Sequence, residues 1–250
     1  MTETNRQEVK GMTIQEAIKA RHSVRAYKDQ PLTEEIIKAL EGKIVELNRQ
    51  GCLHMQLVLN EPKAFQGTLA RYGKFRGVNN YVVVAGKNTA DLDMRVGYYG
   101  EYLVLFAQTL GLNTCWVGLS YSKVPGTYVL DDGEKIACYI AIGYGETQGV
   151  SHKIKTVSQV SRSSVRPSGS SENASDTVPS WFRNGVEAAL LAPTAVNQQK
   201  FSFEYVGMKD GRHQVLAKKG FSLIGYTQMD LGIAKCHFEI GAGKDNFDWA

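Results

Sequence analysis

Cysteine is scarce in this chain and badly placed for bonding. Cys52, Cys115, Cys138 and Cys236 are the only four in 250 residues, with no Cys-x-x-Cys pair and no neighbouring histidines at ligand spacing. A disulfide framework and a zinc site are therefore not expected, and a reducing, cytoplasmic setting is. The five histidines are dispersed, so no other metal site is expected. No apolar run reaches the roughly 20 residues of a membrane span. Met1 to Lys10 is polar and lacks the apolar stretch of a secretory signal, so the sequon Asn173-Ala174-Ser175 reads as chance. A formal net charge of +4 is too small to argue for nucleic acid, which calls for a strongly basic face. It suits a small anionic ligand, so the expected partner is a small molecule, with no nucleic acid and no membrane.

Chemical motifs are missing too. No Gly-x-Gly-x-x-Gly opens a helix after a strand, and Gly241-Ala242-Gly243-Lys244 lacks the upstream Gly and following Ser/Thr of a phosphate loop. No Gly-x-Ser-x-Gly elbow occurs. If the chain is an enzyme, a bound organic cofactor carries the chemistry, and no catalytic side chain is assigned.

What is present is an ordinary globular composition, 43% hydrophobic and 22% charged. Thr13 and Glu16 are spaced as a capping box for a helix running into Arg21. Pro31-Leu32-Thr33 opens a second helix with Ile36, Ile37, Leu40, Ile44 and Leu47 as its buried stripe. Met55 to Leu59 and Tyr81 to Ala85 read as strands. Tyr99 to Leu110 is the strongest helix and stops at Gly111. A strand is expected over Ile136 to Ile142. Ser158 to Ser180 is Ser-rich and reads as an exposed linker. After it come a helix at Trp181–Leu191, a strand at Phe201–Val206, a hairpin turn at Gly211 and a last helix at Asp230–Phe238. Helices and strands mix without regular βαβ alternation, which predicts an α+β fold.

Four segments could carry a ligand. Arg21-His22-Ser23-Val24-Arg25 packs fixed cationic forks and short donors that suit a phosphate or an electron-rich ring edge; it also suits a solvated basic turn at a helix C-terminus. Leu191 to Gln199 offers a hydroxyl and three carboxamides, which match a uracil-like edge, or form a Pro-initiated turn. Gly111 to Gly118 lets backbone approach a ligand, or makes a tight helix-to-strand connection with Trp116 in the core and Cys115 as a small buried residue. Lys153 and Lys155 could pair with a phosphate, or stay a solvated pair.

Together these segments resemble the nitroreductase family of flavoproteins, and most closely its branch of longer members. Arg21-His22-Ser23-x-Arg25 is similar to that family's first flavin motif. Ala192-Pro193-Thr194-Ala195-x-Asn197-x-Gln199 resembles its Ala-Pro-Ser-Ala-x-Asn-x-Gln-Pro-Trp loop. Ala107 to Gly118 looks like its helix ending in Gly-Leu-Gly-Thr. Gly143-Tyr144-Gly145 with Lys153 and Lys155 is similar to its late strand and basic tail, and Met229 to Ala234 to its Asp-x-Gly-x-Ala helix start. The resemblance implies a nitroreductase-like fold, an antiparallel-rich mixed sheet flanked by helices. It implies FMN as cofactor and NADH or NADPH as electron donor, with a nitro compound, quinone or enone as acceptor. Arg21, Ser23, Lys153 and Lys155 would hold the phosphate and ribityl chain, with His22 in the same motif. Arg25 would lie at the N1/O2 edge, Val117 and Gly118 would present backbone to N5, and Pro193, Thr194, Ala195, Asn197 and Gln199 would form the opposite wall.

Two departures matter. Lys200 and Phe201 stand where the family has Pro-Trp. The Pro-Thr-Ala-x-Asn loop follows the linker instead of the first motif. The expected organisation is therefore a first half over residues 1–157, a linker over 158–180, and a partial second repeat over 181–250. That repeat would supply the loop a second subunit gives in ordinary members, so the chain is either a monomer with a pseudo-dimeric site or a homodimer. Two rival readings remain at this point: oxygen chemistry on the flavin itself, and a flavin-binding protein without turnover.

Overall fold

In the computed structural model the described residues are 11–165 and 178–250. Helix α1, Ile14–Ala20, begins as the capping box predicts: Glu16 N–H donates to Thr13 Oγ1 at 3.2 Å, and Thr13 N–H donates to Glu16 Oε2 at 2.8 Å. It stops one residue early, because Arg21 is already extended. Helix α2, Glu34–Gly51, is capped by Thr33 and buries Leu40, Ile44 and Leu47.

The first sheet contains β1 (His54–Val58), β2 (Asn80–Lys87), β3 (Asn113–Val117) and β4 (Glu134–Gly143) in the order β1-β2-β4-β3, all antiparallel. A short helix α3, Thr68–Tyr72, lies between β1 and β2, and α4, Leu92–Thr109, connects β2 to β3. The outer edge of β3 is partly covered by the segment after α1. Ser23 bridges Thr114 in parallel, Val24 N–H donates to Thr114 O at 3.0 Å, and Tyr27 bridges Gly145. The first basic motif is thus an extended segment docked on a sheet edge, which holds it more firmly than a frayed helix end would.

Residues 158–180 depart from the expected linker. Helix α5, Val157–Val160, leads directly into β5, Ser161–Ser163, which pairs parallel with a strand of the second half. Residues 166–177 of that stretch lie outside the described residues. Helix α6, Ser180–Leu190, follows, then the hairpin β6 (Phe201–Lys209) and β7 (Arg212–Lys219), helix α7 (Thr227–Ala242) and β8 (Phe247–Trp249). The hairpin turns at Asp210 and Gly211, both at positive φ, as a two-residue turn compatible with strand twist requires. The second sheet, β5-β6-β7-β8, is mixed, with parallel outer pairs around an antiparallel centre. The α+β expectation holds, but the strands divide into two sheets.

The two halves are not separate bodies. One apolar cluster joins Leu40, Leu47, Val84 and Leu103 to Phe182, Phe203 and Phe238. Its axis is the crossing of α4 and α7. Gly97 is the sixth residue of α4 and Gly232 the sixth of α7. A Cβ at Gly97 would strike Met229 O and the N of Ile233; a Cβ at Gly232 would strike Met94 O and the N of Tyr98. Each glycine thus meets the residues three before and one after the other, which is a two-fold relation between the helices.

Candidate functional site

The two expected flavin segments meet within one chain. A cleft at the end of β3 is lined by Ser23 and Arg25 on one side, Cys115, Trp116, Val117 and Gly118 along the strand, and Pro193, Thr194, Ala195 and Val196 opposite. The start of α7 closes it with Tyr226, Met229, Asp230 and Ile233. A second opening shares Arg25, Trp116, Val117 and Gly118 and continues past Lys74 and Phe75. Arg25 is exposed, with its guanidinium carbon 5.9 Å from the Phe75 ring centroid. Tyr226 packs so closely on Gly118 that a Cβ there would lie 2.6 Å from its hydroxyl.

The loop opposite β3 is held under strain. Val196, Asn197 and Gln199 have φ of 47°, 57° and 44°, where side chains crowd the backbone. Such residues cost on the order of 1–3 kcal/mol each and persist only when surrounding bonds over-determine them. Those bonds are present. Ala195 N–H donates to Asp230 Oδ1 at 3.0 Å, and Gln198 Nε2 donates to Asp230 Oδ2 at 2.7 Å. Asn197 Nδ2 and Gln199 Nε2 both donate to Lys153 O at 2.8 Å. Lys155 N–H donates to Gln199 Oε1 at 3.0 Å, and Lys155 Nζ donates to Gln199 O at 2.6 Å. Burial pushes the Asp230 carboxyl up to about 6 against the opposing pull of the Ala195 and Gln198 donors.

The other expected residues stand as follows. Asn197, Gln199, Lys153 and Lys155 come together, but as a clasp behind the loop: both amides and the Lys155 ammonium are committed to backbone groups, and none of the four lines the cleft. His22 is half-buried; burial first, then Arg21 and His152, hold its pKa down. Arg21 is 3% exposed and also stands behind the cleft lining. Its Nε lies 3.6 Å from Glu101 Oε1, yet the guanidinium makes no hydrogen bond among the described residues and Nε is buried without a partner. A buried guanidinium with open donors is what a phosphate-bearing ligand would complete. Cys115 is buried and its thiol pushed up by burial, so it stays protonated rather than acting as a nucleophile.

Sequence reasoning missed Tyr226, Met229, Asp230 and Ile233 as cleft walls, and Glu101 behind it. Asp230 lay within the recognised Asp-x-Gly stretch, but nothing local said that its carboxylate anchors a loop 35 positions earlier. Tyr226 carried no signal; its left-handed backbone follows from the turn at Gly225.

Comparison with known proteins gives a family and a fold. A family model described as "Putative TM nitroreductase" matches residues 13–242. A structure from Thermotoga maritima MSB8, described as a putative nitroreductase, is 22% identical and superposes with a TM-score of 0.62 over 96% of this chain and 88% of that one. It shares the fold. A nitroreductase from Desulfovibrio desulfuricans in complex with FMN is 19% identical, covering 62% of this chain and 98% of that one at a TM-score of 0.46. A nitroreductase with bound FMN from Bacteroides fragilis NCTC 9343 is 21% identical, covering 58% and 94% at 0.42. No curated protein matches the chain.

Proposed function

The chain belongs to this nitroreductase family, and from that premise we propose that it is an FMN-dependent oxidoreductase passing electrons from NADH or NADPH to a small electrophile such as a nitro compound, quinone or enone. One observation carries the reading. Ser23 and Arg25 of the first motif and Pro193, Thr194 and Ala195 of the second line the same cleft in the same chain. Behind them is a buried guanidinium with open donors. Bound FMN would supply the two-electron chemistry.

The chain's own groups would hold and tune it. Arg21 and Ser23 would take the phosphate and ribityl chain, with Lys153 near. Arg25, exposed at the mouth, would offset negative charge at the pyrimidine edge. Val117 and Gly118 would bring backbone to the ring, and Tyr226, Met229 and Ile233, which line the same cleft, would keep water from it. Lys155, Asn197 and Gln199 act by fixing the loop.

We also propose that residues 181–250 are a partial second repeat that completes one FMN site in cis. The reciprocal crossing of Gly97 and Gly232 supports this, as does the element order α-β-β-α-β in both α2-β1-β2-α4-β3 and α6-β6-β7-α7-β8, with α3 inserted in the first. A monomer then suffices. Among the described residues no helix is long and apolar enough to cross a membrane, and the four cysteines are free; the proposed setting is the cytoplasm.

The test is the visible spectrum of the purified protein. We expect one FMN per chain, and bleaching by NADH or NADPH under anaerobic conditions. A colourless preparation that does not take up added FMN would sink the proposal, and bound flavin that neither nucleotide reduces would sink the enzymatic part.

A further inference from the structure

Behind Trp116, four elements converge on one carboxylate. Glu101 on α4 is fully buried. Its Oε2 accepts from Trp116 Nε1 at 2.8 Å, and its Oε1 lies 2.9 Å from His237 Nε2 on α7. Arg21 Nε, after α1, is 3.6 Å from the same Oε1. His237 is also fully buried, and its Nδ1 lies 3.0 Å from Ala188 O on α6. Other titratable neighbours are Cys115 and His22 near Arg21 and Cys236 near Glu101. Burial pushes both thiols up, so they are neutral.

The geometry constrains the protons. A carbonyl oxygen only accepts, so His237 Nδ1 carries a hydrogen. Nε2 then faces a carboxylate oxygen in a dry site. Two lone pairs in opposition would leave both groups unsatisfied where that is most costly. One further proton must lie between them, on nitrogen or on oxygen. In either arrangement, imidazolium with carboxylate or imidazole with carboxylic acid, the pair sums to zero. The charge of Arg21 is then not cancelled by Glu101, although the two are close.

We propose that Glu101 and His237 form a neutral, proton-carrying pair that positions Trp116 at the cleft and leaves the full charge of Arg21 available to the cofactor's phosphate. The proposal rests on the FMN reading above. His237 is the element that matters: without it, the charge of Glu101 would be balanced by Arg21 alone and would cancel it. Glu101→Gln, by contrast, keeps the charge total. The Gln amide can accept from Trp116 with its oxygen and donate to Nε2 with its nitrogen.

The experiment compares FMN with riboflavin, which lacks the phosphate, by fluorescence titration of the apoprotein of the wild type, Glu101→Gln and His237→Gln. We expect Glu101→Gln to keep the preference for FMN within about threefold. His237→Gln should lose about tenfold or more of it, the size of one charge-assisted contact. A rise of about tenfold in the preference for Glu101→Gln would overturn the proposal, since Glu101 would then have been cancelling the charge of Arg21. So would an unchanged preference for His237→Gln, or an equal loss of both flavins, which marks a merely structural role. Spectroscopy of the apoprotein decides the pair without any flavin. We expect either both His237 ring nitrogens protonated in long-range 15N spectra, or Nδ1–H alone with a carboxylic-acid infrared band that disappears in Glu101→Gln. Nδ1–H alone with no such band overturns the neutral pair. A wild type that binds neither flavin refutes the FMN reading instead, and the spectra still decide the pair.

Discussion

Replacing Asp230 with Asn tests how the loop around Ala195 is anchored. Asp230 is 2% exposed, and burial holds its carboxyl at about 6 against an ordinary 3.8. A carboxyl with a raised folded value binds its proton more tightly in the folded chain than in the unfolded one. Below about pH 3.8 both states are protonated, and above about 6 both are ionised. Between those values only the folded state keeps the proton, so stability falls as pH rises through this window. The difference between 3.8 and about 6 corresponds to a loss on the order of 3 kcal/mol, complete by neutral pH. Asn cannot titrate, so its variant lacks this slope. It also loses a good acceptor: if Asn Oδ1 keeps Ala195 N–H, its amide nitrogen faces Gln198 Nε2. Gln198 can answer by flipping, because its Oε1 is buried without a partner, but the flip breaks the bond from Nε2 to Gly225 O. The assay is urea unfolding of the apoprotein at half-unit steps from pH 4 to 8 for both chains. Their difference removes every other titrating group. We expect the wild-type advantage to shrink by about 2.4 kcal/mol between pH 4 and 7, part of the loss being already taken at pH 4. A flat difference, or one that grows with pH, refutes the argument that the carboxylate sits in a net desolvating site.

Gly97→Ala and Gly232→Ala should each destabilise by about 3 kcal/mol or more in urea unfolding, at the upper end for overpacking, because the added carbon meets backbone and not a movable side chain. Val196→Gly should raise Tm by about 2–4 °C, since relief of a left-handed Val outweighs the lost side chain, which is 75% exposed. Gln199→Ala should weaken FMN binding about tenfold in fluorescence titration, by freeing Lys153 and Lys155 from the loop. Arg25→Ala should retain FMN but slow its bleaching by NADH or NADPH about tenfold or more in stopped flow, as expected when a group that offsets developing charge is removed.

Much of the fold was legible because its cues are local. Thr13 with Glu16, Thr33, and Gly211 each fix an end or a turn within a few residues. The apolar stripe of α2 declared its buried face the same way. The cues failed where pairing is remote. Ser161–Ser163 is polar and short, and becomes a strand only because β6 lies alongside. The same split applies to the cleft. Ser23, Arg25 and Pro193–Ala195, singled out by their residue types, line it. Asn197, Gln199 and Lys155 do not line it but clasp the loop, since a carboxamide that can meet a ring edge can equally bond backbone, and the positive φ values of the loop are not legible in the sequence. Glu101 and His237 were invisible because each lies on an apolar helix face, and their meaning comes from meeting across the helix crossing.

That crossing also bears on where the cleft beside β3 opens. Two residues before each crossing glycine, at the fourth position of the helix, stand Asp230 on α7 and Arg95 on α4. Both hold the loop that follows the preceding helix of their own half, but with opposite polarity. Asp230 accepts from Ala195 N–H, whereas Arg95 Nη1 donates to Gly51 O at 2.6 Å and Cys52 O at 2.8 Å. A carboxylate that captures an N–H holds a long loop out over β3 and leaves space beneath it. A guanidinium that captures two carbonyls draws the end of α2 onto α4, close enough that Tyr99 lies against Gly51. On the proposed repeat, the two loops occupy equivalent places and are held by groups of opposite charge. The open side is the one that faces Ser23 and Arg25.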